Sequence, residues 1–69
     1  MRNTFIYEHY KKNINNNLYR IEYHITKFDN TRRKNTTYCL YKNGKMLIVT
    51  SLHQTFYSWI KKFEKGIEI

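Results

Sequence analysis

Few side chains in this chain have the types that catalysis needs, and their spacing limits what they can do. The carboxylates are Glu8, Glu22, Asp29, Glu64 and Glu68, and no two sit in a pattern suited to paired acid–base work. Glu22 and His24 are two residues apart on one face of an expected strand, where one could act as a base and the other could orient it. An ordinary exposed pair is the preferred reading. Cys39 lies mid-strand, away from any helix N-terminus or assigned base, so it reads as a small buried hydrophobe rather than a nucleophile. His53 reads as a surface side chain in the first turn of a helix. There is no Gly-rich phosphate loop, no HExxH and no G-x-S-x-G. One cysteine and three widely separated histidines give no zinc spacing. The expectation is a protein that is not an enzyme and has no cofactor or metal.

Binding is the better-supported chemistry. Thirteen Lys and Arg against five acidic residues leave a net charge of +8 in 69 residues, more than solubility calls for. Arg32, Arg33 and Lys34 form a run, and Lys42 and Lys45 flank a hairpin tip. Lys61, Lys62 and Lys65 close a helix, and Lys11 and Lys12 follow the N-terminal segment. Arg32, Arg33, Lys34, Lys42 and Lys45 are the candidate contacts to nucleic-acid phosphates, held by Coulomb attraction and counterion release. Tyrosines among them would stack on unpaired bases. An acidic protein or nucleoprotein surface would be attracted in the same way.

These residues need elements to hold them. Asn43-Gly44 is a hairpin signal, because a type I′ turn needs positive φ at both central residues. A two-residue loop pairs Lys42 with Lys45, Tyr41 with Met46, Leu40 with Leu47, Cys39 with Ile48 and Tyr38 with Val49. One face then carries Tyr38, Leu40, Leu47 and Val49, and the other carries Cys39, Tyr41, Met46 and Ile48. Both faces are apolar and one helix covers only one of them. Tyr41, Met46 and Ile48 are therefore the candidate partner interface, with a homodimer as one outcome. Leu18–Phe28 alternates as a half-buried strand, with Tyr19, Ile21, Tyr23 and Ile25 on one face and Arg20, Glu22, His24 and Thr26 on the other. Residues 29–35 read as a polar loop.

A helix is expected from Ser51, with Ser51 and Gln54 forming a capping box. Leu52, Phe56, Trp59, Ile60 and Phe63 form its apolar stripe, and Gly66 its C-terminal cap. Residues 67–69 would add an edge strand or fray. "TFIYEHY" alternates as a strand with Phe5, Tyr7 and His9 on one face; a short helix would group Phe5, Ile6, His9 and Tyr10 instead. The strand is preferred, and "NINNN" breaks it.

The expected architecture is α+β: one small domain spanning residues 1–69, with a three- or four-stranded antiparallel sheet packed on one C-terminal α-helix. Seven Tyr, four Phe and one Trp supply its core. No apolar run approaches the ~18 residues of a membrane span, and the N-terminus lacks the apolar centre of a signal peptide. A membrane is not an expected partner, and the cytoplasm of a bacterial host is the expected location. No Ala, no Pro, two Gly and many Asn, Lys, Ile and Tyr point to an AT-rich gene, as in low-GC bacteria and many of their phages and plasmids, a composition that an AT-rich eukaryote shares. Two functions follow. The first is a small basic protein contacting nucleic-acid phosphates or an acidic surface. The alternative is a phage-encoded inhibitor that docks on a host defence complex, as anti-CRISPR proteins do.

Overall fold

The computed structural model describes residues 2–28 and 32–69. Four strands run in sequence order across one antiparallel sheet: β1 (Arg2–Ile14), β2 (Asn17–Phe28), β3 (Lys34–Lys42) and β4 (Lys45–Thr50). One helix follows, α1 (His53–Glu64). The α+β architecture is thus as expected, with four strands rather than three. Residues 29–31 of the anticipated loop lie outside the described residues. Lys34 and Asn35 belong to β3, so the loop ends earlier than expected.

The N-terminal segment is a strand because it has a partner along its length. β1 pairs with β2 from Arg2↔Phe28 to Ile14↔Asn17. The turn between them is Asn15-Asn16, with φ of 51° and 66°. Asparagine tolerates this left-handed region better than other residues with a Cβ. Asn43 (φ 52°) and Gly44 (φ 83°) turn β3 into β4 in the same way. Asn43 also ties its turn to the start of β2. Its backbone N–H donates to the Leu18 carbonyl at 2.7 Å, and its Oδ1 accepts from the Leu18 N–H at 2.8 Å.

Two β-bulges decide which side chains face the helix. In β1 the register shifts between Glu8 and Tyr10, so His9 is the extra residue. Both rings consequently reach the helix side, with His9 5.1 Å from Phe56 and Tyr10 6.0 Å from Phe63. In β4 the extra residue is Leu47. Lys42↔Lys45 and Tyr41↔Met46 pair as the turn dictates, but beyond them Leu40 faces Ile48, Cys39 faces Val49 and Tyr38 faces Thr50. This corrects the expected register. One inserted residue moves every later side chain to the other face. Ile48 therefore joins Leu40 on the helix side, while Tyr41 and Met46 stay on the open side with Val49.

The core is Ile14, Tyr19, Ile21, Leu40, Phe56, Trp59 and Phe63, with Tyr10, Tyr38, Ile60 and Ile69 packed around it. Burying each large apolar side chain contributes about 1.5–3 kcal/mol. Phe56, Trp59 and Phe63 are the buried members of the helix stripe, whereas Leu52 is 65% exposed. The helix also starts later than expected. Thr50 Oγ1 accepts the Leu52 N–H at 3.0 Å, and the chain stays extended through Leu52, the N-cap residue, which has no side-chain cap bond. The Ser51–Gln54 capping box is not formed.

The helix C-terminus follows expectation. Gly66 (φ 75°) donates to the Phe63 carbonyl at 3.0 Å and Ile67 to the Lys62 carbonyl at 2.8 Å, the paired bonds of a Schellman cap. The last three residues neither form an edge strand nor fray. Ile69 packs on the core, and Glu68 accepts hydrogen bonds from Asn15, Asn17 and Tyr19.

Candidate nucleic-acid interface

Element lengths leave part of the sheet uncovered. A helix of 12 residues is ~18 Å long. A strand of 12 residues is about 40 Å long. The helix lies over the turn end, where Phe63 meets Tyr19 at 4.9 Å, and it reaches only as far as Tyr38, stacked on Phe56 at 4.3 Å. Beyond that level the helix-side surface of β1, β2 and β3 is open. Phe5, beyond that level, is 42% exposed, and Tyr7, in the row of Tyr38, is 45% exposed. Tyr7 stacks on its cross-strand partner Tyr23, with ring centroids 5.1 Å apart.

Cations collect at this end. A shallow groove of about 320 Å³ is lined by Lys27, Arg32, Arg33 and Lys34, together with the rings of Phe5 and Phe28. The Lys27 ammonium lies 5.5 Å from the Phe5 ring centroid, within cation–π range. A second hollow of about 240 Å³ lies between the groove and the helix. Tyr23, Ile25, Thr36, Tyr38, His9 and Phe56 form its walls. The hydroxyl of Tyr38, one of these walls, is 3.0 Å from His53 Nδ1. The two hollows follow one another along β2, from Tyr23 and Ile25 in the second to Lys27 and Phe28 in the first, and form a shelf with aromatic side chains in both and cations at the tip.

The sequence-based candidates divide between the two ends of the molecule. Arg32, Arg33 and Lys34 are exposed at the groove. Lys42 and Lys45 are at the opposite end of β3, about 26 Å away along the strand. Lys42 sits 5.9 Å from the Tyr19 ring centroid, and its charge favours the ionised form of Glu68. Sequence reasoning missed Lys27, Phe5 and Phe28 as members of the site. The alternation that places Tyr23 and Ile25 on the helix side also places Lys27 there.

The open side of the sheet carries a charged row. Glu22 bridges Arg20 at 3.4 Å and His24 at 3.3 Å, and the Arg20 guanidinium lies 4.6 Å from the Tyr41 ring centroid. Cys39 is a free cysteine, 2% exposed, on the strand position facing Glu22. Burial, and then the Glu22 charge, push its thiol pKa up. The same two causes raise the Tyr41 hydroxyl. Glu22 is thus engaged on both oxygens by its neighbours on the strand. The expected interface set is split by the Leu47 bulge: Tyr41 and Met46 are on this side and Ile48 is on the other.

At the sheet edge, β4 exposes Met46, Leu47, Ile48 and Val49, by 52%, 47%, 36% and 51%. Among the described residues, no helix is long and apolar enough to cross a membrane. The chain matches no known family model, no curated protein and no solved structure.

Proposed function

We propose that this protein is a non-enzymatic nucleic-acid-binding protein that grips phosphates at the tip of its long sheet. The observation that carries this reading is the groove in which Lys27, Arg32, Arg33 and Lys34 surround two exposed phenylalanine rings. Four cations at one end form a local positive field, which the net charge of +8 reinforces. Contacts of this kind go to the backbone and carry little base specificity. Lys45 and the helix lysines lie away from the groove and add general attraction. The composition fits a phage or mobile-element product acting in a bacterial cytoplasm.

The direct test is a mobility shift of the purified protein on random-sequence DNA and RNA in low salt. The wild type shifts both, and Arg32→Ala/Arg33→Ala weakens the shift. If the double variant binds as well as the wild type, the groove is not the contact surface.

A second reading rests on β4. An edge strand presents unpaired backbone N–H and C=O groups, and this one adds four exposed apolar side chains. Such an edge suits docking on a protein by strand addition. It would serve an inhibitor of a host defence complex of the anti-CRISPR kind, or a homodimer. This reading is favoured if no nucleic acid shifts and one protein complex is captured stoichiometrically through β4.

A further inference from the structure

We infer that the exposed aromatic shelf stacks unpaired bases, so that the preferred ligand is a single strand of DNA or RNA rather than a duplex. The inference rests on the phosphate-binding reading and deepens it.

Position is the first argument. Phe5, Tyr7 and Tyr23 lie on the helix side of the sheet, Tyr7 and Tyr23 in the row of Tyr38 at the margin of the helix and Phe5 one step beyond it. Phe5 and Tyr7 remain more than two-fifths exposed although this surface faces the same way as the core. A domain with a small core leaves aromatic area in water at a cost, and Phe5 lines one of the two hollows while Tyr23, the stacking partner of Tyr7, lines the other.

Spacing is the second. Phe5 and Tyr7 are two residues apart on one strand, which sets them about 6.8 Å apart. Bases within one strand of a duplex rise by about 3.4 Å. Successive bases of an intact duplex therefore do not match these rings, and their faces are already covered by one another. An unstacked, extended strand presents a π-face at each step.

Charge is the third. The Lys27 ammonium lies over the Phe5 ring, 5.5 Å from its centroid, so a nucleotide at Phe5 meets a positive charge at close range. Arg32, Arg33 and Lys34 continue the positive line at the tip. No carboxylate lines either hollow among the described residues. The β4 edge differs in kind: it is aliphatic, with Lys45 at one end, and suits a protein surface better than a polyanion. The shelf offers mainly rings and cations rather than rigid donor–acceptor pairs, which favours stacking over sequence readout.

Fluorescence anisotropy with fluorescein-labelled oligothymidylate, and with a duplex of equal length, tests the inference. The wild type should bind the single strand more tightly at matched salt. Phe5→Leu and Tyr7→Leu keep an apolar side chain on the strand but remove the ring. Each should weaken single-strand binding by roughly 5- to 150-fold, the range for losing one stacked base, and leave duplex binding unchanged. Tyr7→Phe keeps the ring and should retain binding. A strand carrying 5-iodouracil should crosslink to Phe5, Tyr7 or Tyr23 in the wild-type protein, a readout that needs no variant to fold. Equal or tighter duplex binding, unaffected Leu variants or crosslinks confined to other surfaces overturn the shelf. If Arg32→Ala/Arg33→Ala still weakens binding in those cases, phosphate contact at the tip survives. If neither probe binds in low salt, both readings fall.

Discussion

The Tyr19 hydroxyl donates a 2.9 Å hydrogen bond to Oε1 of Glu68, which follows it by 49 residues and is next to last in the chain. The same oxygen accepts from Asn17 Nδ2 at 2.7 Å, and Oε2 accepts from Asn15 Nδ2 at 3.1 Å. One carboxylate thus joins the tail after the helix to the first hairpin. This anchoring holds the helix over the turn end of the sheet and leaves the far end open.

The anchor makes stability depend on acid. Hydrogen bonds from Asn15, Asn17 and Tyr19 hold the Glu68 carboxyl below its usual pKa of 4.5. A depressed carboxyl adds stability that is fully present above the unfolded pKa and is lost as pH falls through the folded pKa. The wild-type melting temperature should therefore drop as pH is lowered below about 4.5. Glu68→Gln should melt lower at pH 7 and lose less on acidification. Parallel melting curves for the two proteins from pH 7 to pH 3 would show that the anchor does not act this way.

Cys39 is shielded from chemistry. It is nearly fully buried, and its thiol is raised above its usual pKa by burial and then by Glu22. The thiolate is the reactive form. Ellman's reagent should react with the native protein at the rate of unfolding, and at once in guanidinium chloride. Immediate labelling of the native protein would contradict the packing around β3.

The β4 edge is separable from the groove. Val49→Lys places a charge on an exposed apolar edge, a device that blocks strand addition. Light scattering should show less self-association than in the wild type at high concentration. Binding to oligothymidylate should be unchanged or slightly tighter. A large loss of nucleic-acid binding would instead mean that β4 belongs to the binding surface.

Much of the fold was legible because simple periodicities dominate it. Alternation marks β2, Asn43-Gly44 marks the last hairpin, and Phe56, Trp59, Phe63 and Gly66 mark the helix and its end. The bulges were not legible. "KMLIVT" is apolar on both faces, so alternation has nothing to show where Leu47 adds a residue and moves Ile48 to the other side. The Ser51 capping pattern lost to a shorter-range bond, from the Leu52 N–H to Thr50 Oγ1. At the site, the Arg32-Arg33-Lys34 run stood out as local charge. Its aromatic neighbours did not, because β1 and β2 bring Phe5 and Lys27 together from opposite ends of a hairpin. A strand is about twice as long as a helix of the same residue count, so the uncovered surface follows from element lengths alone.

The most direct measurement compares two charge-matched triple variants across a salt titration with oligothymidylate. Each single-strand phosphate contact contributes about 0.7 to the slope of log affinity against log salt. Lys27→Ala/Arg32→Ala/Arg33→Ala should lower that slope by about 2, so that the loss of affinity is greatest at low salt and shrinks as salt rises. Lys61→Ala/Lys62→Ala/Lys65→Ala removes the same charge from the helix end and should change the slope little. Equal effects from the two triples, or a larger one from the helix lysines, would contradict a binding site at the tip of the sheet.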